Sequence, residues 1–125
     1  MKNILISLFI SLTACSDFGN SPKEESEFSQ NISFNSDIQP LFNASCINCH
    51  GSQGNLSVRN YSSLMDGSSN NGPVVIPENG DESLIIKKLR GTASGDRMPS
   101  EPASPWSDFK IMLIKKWIDQ GALNN

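Results

Sequence analysis

The chain has 125 residues, enough for one domain, and its 37% hydrophobic and 7% aromatic content would give that domain a thin core. It carries 10 basic and 13 acidic residues. That balance argues against a nucleic-acid partner, because binding phosphates calls for basic patches.

Residues 1 to 14 read as a secretory signal peptide: Lys2 gives a positive start, Ile4 to Leu12 an apolar run broken only by Ser7 and Ser11, and small residues follow. The run is too short to span a bilayer. Its removal takes away Lys2 and no acid, leaving 9 basic against 13 acidic residues. The run ends in Leu12-Thr13-Ala14-Cys15, which resembles the lipobox of bacterial lipoproteins. That resemblance implies cleavage before Cys15, with lipid on its thiol and new amino terminus, and hence a membrane partner through a lipid anchor. The alternative is an ordinary signal peptide with an incidental Cys. Ser16 stands where an Asp would direct retention at the inner membrane in the best-known sorting rule. The expected address is therefore the periplasmic side of the cell envelope, leaning to the outer membrane.

After Cys15, residues 16 to 34 are rich in Ser, Asn and Glu with only scattered Phe. Too few apolar groups are present to offset ordering entropy, so residues 15 to 34 are expected to be a lipidated Cys and flexible tether, and residues 35 to 125 the folded domain. A first helix is expected from Ser36, capped by its own hydroxyl with Gln39 answering as a capping box and Pro40 in the first turn. Ile38, Leu41 and Phe42 form its apolar stripe and lead into Cys46-Ile47-Asn48-Cys49-His50.

This CxxCH is the strongest signal in the chain. Two thiols two residues apart can add across the two vinyl groups of a haem, and the adjacent imidazole then falls under the iron as proximal ligand. A zinc site would need four protein ligands, and no second CxxC or His pair follows His50. A thioredoxin-like redox pair would sit at a strand-to-helix junction, whereas helical spacing precedes this motif. Cysteine arithmetic agrees: Cys15 takes lipid, Cys46 and Cys49 take haem, and none of the three thiols is left over.

From Ser52 to Gly80 the sequence is loop-rich, with a possible short helix at Tyr61 to Met65, alternation at Leu56 and Val58, and a β-branched Val74-Val75-Ile76 too short to place a sheet on. A helix is expected from Glu82 to Arg90, with Asp81 as N-cap, Gly91 as stop, and Leu84, Ile85, Lys88 and Leu89 on one side. The last helix starts at Ser104-Pro105 or Ser107-Asp108 and ends at Gly121. Phe109, Met112, Leu113, Lys116 and Trp117 give it a buried face, broadened by Ile111, Ile114 and Ile118. Lys87, Lys88, Arg90, Lys110, Lys115 and Lys116 are either solvated helix faces or a docking surface for an acidic partner.

His50 is the only histidine, so a protein ligand on the iron's other side would be a methionine. Met65 and Met112 are read as packing residues. Met98 stands in the polar loop Gly95-Asp96-Arg97-Met98-Pro99-Ser100, with no evident core for a thioether to fill, and is the candidate ligand. Arg97 beside it is a candidate partner for a haem propionate, or else a solvated loop charge.

Four pieces in order now carry a resemblance. They are Asp37-Ile38-Gln39-Pro40-Leu41-Phe42 leading to Cys46-Ile47-Asn48-Cys49-His50-Gly51, Val75-Ile76-Pro77 before Ser83-Leu84-Ile85, Arg97-Met98-Pro99, and Trp117-Ile118-Asp119-Gln120-Gly121-Ala122. Over residues 36 to 123 the chain resembles class I c-type cytochromes, most closely the Planctomycete-type cytochrome c domain family. The resemblance implies an all-α, small monohaem fold whose N- and C-terminal helices pack around one covalently bound haem c. It implies thioether anchors at Cys46 and Cys49, a proximal iron ligand at His50 and a distal ligand at Met98. The expected function is a membrane-anchored single-electron carrier, not an enzyme, serving redox partner proteins. The alternatives are a peroxidase-like haem enzyme or sensor with an open sixth position, and a haem-bearing accessory lipoprotein subunit.

Overall fold

The computed structural model describes residues 30–51, 55–69 and 72–125. The expected signal peptide, Cys15 and the expected tether up to residue 29 lie outside the described residues. A π-helical turn, Phe34–Ile38, runs into helix α1, Gln39–Ser45. Ser33 is the cap: its hydroxyl accepts from Ser36 N–H at 3.2 Å, and the Asp37 carboxylate accepts from Ser33 N–H at 2.8 Å. This box is one residue longer than the usual one, as a turn closed from i to i−5 requires. Pro40 explains the widening, since its ring would clash with the carbonyl four residues back in α-helical register. The expected start at Ser36 with Gln39 as its partner is therefore corrected. Gln39 instead donates to Asn43 Oδ1 and to the Val58 carbonyl, both at 2.9 Å.

The packed unit begins at Asn31, with Ile32 and Phe34 buried. The boundary expected at 34/35 thus falls a few residues too late, because isolated apolar residues in a polar stretch give no periodic signal although they fill the core.

Helix α2, Tyr61–Met65, is capped by Asn60, whose side chain accepts from Ser63 N–H at 2.9 Å. A two-stranded antiparallel ribbon follows, β1 at Ser68–Ser69 and β2 at Gly72–Pro73. The described residues are otherwise helical or irregular, in keeping with the all-α expectation. None of their helices is long and apolar enough to cross a membrane.

Helix α3 spans Leu84–Arg90 and ends as expected at Gly91, whose φ of +71° is the left-handed geometry that glycine adopts without strain. Its N-cap is Ser83 rather than Asp81, and that hydroxyl is spent elsewhere. Fully buried, it accepts from Ile76 N–H at 2.8 Å and donates to the Asn79 carbonyl at 2.9 Å, tying the preceding turn to the helix start. Asp81 instead binds Arg90 at 2.9 Å and Lys115 at 3.2 Å. These cations hold its carboxyl below the ordinary range, chiefly through the Arg90 hydrogen bond.

Helix α4 spans Asp108–Asp119. Its buried residues are Ile111, Ile114, Trp117 and Ile118, while Phe109 is 60% and Met112 41% exposed. The stripe through Phe109 and Met112 is thus the outer face, and Met112 is no core filler. Both stripes have the same spacing, but the one through three isoleucines avoids burying Lys116. Trp117 packs its ring 5.3 Å from Phe34 and donates its indole N–H to the Leu123 carbonyl at 2.9 Å.

Two predictions follow from this packing. Ser83→Ala leaves the part-buried Ile76 N–H without its acceptor and should cost about 1 kcal/mol or more in denaturant unfolding; a change near zero would remove the hydroxyl from its structural role. Because the folded Asp81 carboxyl titrates lower than in the unfolded chain, its contribution is present above the ordinary carboxylate pKa and is lost as pH falls through the lowered value. Asp81→Asn should therefore be less stable than the parent at neutral pH and converge with it in acid, as read by unfolding at a series of pH values.

Candidate functional site

The CxxCH motif is an extension of α1. Cys46 N–H and Ile47 N–H both donate to the Phe42 carbonyl, at 2.8 and 3.0 Å, and the Cys46 carbonyl accepts from Cys49 N–H at 3.2 Å and His50 N–H at 2.7 Å. The chain then turns back, and Val58 N–H donates to the His50 carbonyl at 2.9 Å. With its own carbonyl held by Gln39, Val58 is a strut between α1 and the end of the motif.

Cys46 and His50 are half-buried and Cys49 is exposed. Cys46 and His50 line a cavity of about 230 Å³ whose remaining wall is almost wholly apolar. Phe42 contributes from α1, Leu56, Val58 and Val74 from the loop segments, and Leu84, Ile85, Lys88 and Leu89 from α3. Met98 lines the same cavity. Its N–H donates to the Lys88 carbonyl at 2.9 Å, which folds the polar loop back onto the apolar wall. The expectation that no core awaits this thioether is corrected: the loop is polar, but Met98 turns in and is half-buried. Met65 packs against the core, as expected of it, away from the cavity lining.

Arg97 does not line this cavity. It lies in a separate cleft with Asp96, Ser100 and Glu101, its Nη2 donating to the Ala103 carbonyl at 3.3 Å. It is no solvated loop charge, for it is half-buried and its Nη1 is buried without a hydrogen-bond partner. A buried guanidinium nitrogen left unpaired is costly, so this atom suits a carboxylate acceptor. Cys15, the expected lipidation site, lies outside the described residues.

Burial first, and the neighbouring Cys49 second, push the Cys46 thiol up to about 11. Reactive CxxC pairs depend on lowered thiol pKa values, so this environment opposes thiolate chemistry. Among the described residues no group of three or more His, Cys, Asp or Glu could hold a metal ion, and the two-residue strands provide no strand-to-helix setting for a redox pair. The donor set does fit a covalently held haem. It offers two thiols, an imidazole, a thioether beside the same apolar wall, and an unpaired guanidinium nitrogen next in sequence to that thioether.

The wall residues Leu56, Val58 and Val74 had a faint sequence signal in their alternation and β-branching, without anything to say which way they face. Lys88 was placed by its spacing on one side of the helix with Leu84, Ile85 and Leu89, and all four line the cavity. Of the six cations considered for a docking surface, Lys87, Arg90 and Lys115 are paired with local carboxylates.

Comparison with known proteins gives one match. Residues 46–102, from the first thiol to just beyond the Met98 loop, match the family described as Planctomycete cytochrome C. The family expected from the motifs is thereby borne out. Neither the curated proteins nor the solved structures gave a match.

Proposed function

We propose, from the premise that residues 46–102 are a Planctomycete cytochrome C segment, that this protein is a monohaem electron carrier held at the periplasmic side of a membrane by lipid on Cys15. The observation that carries this reading is the convergence of Cys46, His50 and Met98 on one apolar cavity. Bound there, haem c supplies a one-electron iron couple.

The chain's own residues divide the work. Cys46 and Cys49 would hold the group through their sulfurs. His50 would serve as the nitrogen ligand and Met98 as the sulfur ligand, whose softness would favour the reduced metal and raise the potential. With His50 and Met98 both committed to the iron, no position would be left for a substrate, which favours a carrier over a peroxidase-like enzyme. The apolar wall from Phe42 to Leu89 excludes water from the site and so helps set the potential. Arg97 offers its unpaired Nη1 to a propionate carboxylate. The lipid anchor and the outer-membrane address rest on Leu12-Thr13-Ala14-Cys15 and Ser16; redox partner proteins are the expected clients.

The first test is mass and absorption of the exported protein. Mass should exceed that of polypeptide and lipid by one haem, with a Soret band, and Cys46→Ala together with Cys49→Ala should give a colourless, largely unfolded chain. A well-folded double variant would contradict haem as the core. The second is Met98→Ala, which should abolish the weak far-red ferric band expected of a sulfur–iron bond and open a position for carbon monoxide or cyanide. It should also lower the potential by tenths of a volt, within the roughly 0.8 V that axial ligands span. If Met65→Ala does this and Met98→Ala does not, the ligand assignment is wrong.

A further inference from the structure

Helix α3 ends in three cations that behave differently. Lys87 pairs with Glu82 at 2.8 Å and Arg90 with Asp81 at 2.9 Å, both reaching back toward the start of the helix. Lys88 is half-buried and lines the apolar cavity. Its ammonium donates forward instead, to the carbonyl oxygens of Ser94 at 2.5 Å and Asp96 at 3.3 Å. A long cationic side chain can lay its methylenes along an apolar wall while its head reaches polar groups beyond. Here those groups are the backbone of the loop that carries Met98.

The main chain of the same residue completes the tie. The Lys88 carbonyl belongs to the last turn of α3 and accepts twice, from Gly91 N–H at 3.2 Å and from Met98 N–H at 2.9 Å. Residues 94, 96 and 98 are thus all held by residue 88. Gly95 makes the approach possible: its φ is +77°, and a Cβ there would lie 3.3 Å from Lys88 Nζ. From Thr92 to Asp96 every residue except the half-buried Ala93 is exposed, so this segment has little apolar anchorage of its own.

We infer that Lys88 is the positioning residue for the Met98 ligand, acting as a staple that keeps the 94–98 loop closed over the cavity. The inference rests on the reading of Met98 as the sulfur ligand. Its consequence is kinetic as well as structural: an external ligand can displace the thioether only as fast as this loop opens, and the ammonium sets that opening.

The test uses the full-length, haem-loaded ferric protein with cyanide as probe. Lys88→Met keeps the length and apolar character of the side chain and removes every donor; Lys88→Arg keeps charge and donors. Loss of hydrogen bonds from a charged group should make cyanide binding to Lys88→Met about tenfold faster or more. The far-red band should weaken, and the Met98 amide should exchange faster while the Ile114 and Trp117 amides hold their parent rates. Lys88→Arg should stay near the parent. Should Lys88→Met not fold, Lys88→Gln, which removes the charge and shortens the side chain, addresses the same contact, and the same changes are expected.

A Lys88→Met protein with the parent's cyanide rate and Met98 amide exchange overturns the staple. Met98→Ala run alongside separates the two failures. If it loses the far-red band while Lys88→Met is unchanged, only the positioning role falls; if it keeps the band, the ligand assignment falls and the staple with it.

Discussion

The domain is closed by the burial of Trp117. That side chain is fully buried, 5.3 Å from the Phe34 ring and 6.5 Å from Tyr61, and Tyr61 in turn lies edge-on to Phe34 at 5.3 Å. Aromatic contacts of this kind contribute beyond the area they bury. Asn125 reinforces the closure with hydrogen bonds to Ser33, Phe34 and Asn35. Helix α4 also holds the turn before α3, for the Ile118 carbonyl accepts from Glu78 N–H at 2.8 Å and Asp119 from Gly80 N–H at 2.8 Å. The segment leading to CxxCH and the segment leading to the α3 wall are both attached to this one helix, and the cavity is bounded by what they carry.

The wall of that cavity is continuous with the core. Phe42, Val58, Val74 and Leu89 belong to the same cluster as Phe34 and Trp117. The space of about 230 Å³ beside it is partly open and lined almost wholly by apolar side chains, so it suits an apolar group.

How much was legible beforehand depended on whether the signal was local. CxxCH, the Gly91 stop and the Gly121 stop are written in a few consecutive residues whose chemistry admits few alternatives. The choice of Met98 by elimination rested on a partly mistaken reason, since the apolar wall it meets comes from residues 56, 58 and 74 and from α3 rather than from its own loop. The phase of α4 was legible only in part: Ile111, Ile114, Trp117 and Ile118 were expected on the buried side and are buried, whereas Phe109 and Met112, expected with them, are exposed. Ser33 as cap depended on a π turn imposed by Pro40. The side of α3 that Lys88 shares with Leu84, Ile85 and Leu89 was legible, but its hydrogen bonds to residues 94 and 96 were not, because no pattern along the chain announces that the loop returns to the helix.

The thiol chemistry narrows the function further than the motif alone does. Zinc binding and disulfide exchange both proceed through thiolate, so a site built for either lowers the pKa of its cysteines with nearby positive charge or a helix start. Cys46 stands at the end of α1, in the wall of an apolar cavity, where burial pushes its thiol up to about 11. The neighbouring Cys49 adds to the shift, so the two sulfurs oppose each other's ionisation rather than assist it. A thioether carries no proton to lose and no charge to solvate. The wall that penalises a thiolate at Cys46 would hold an uncharged sulfur more readily than a charged one.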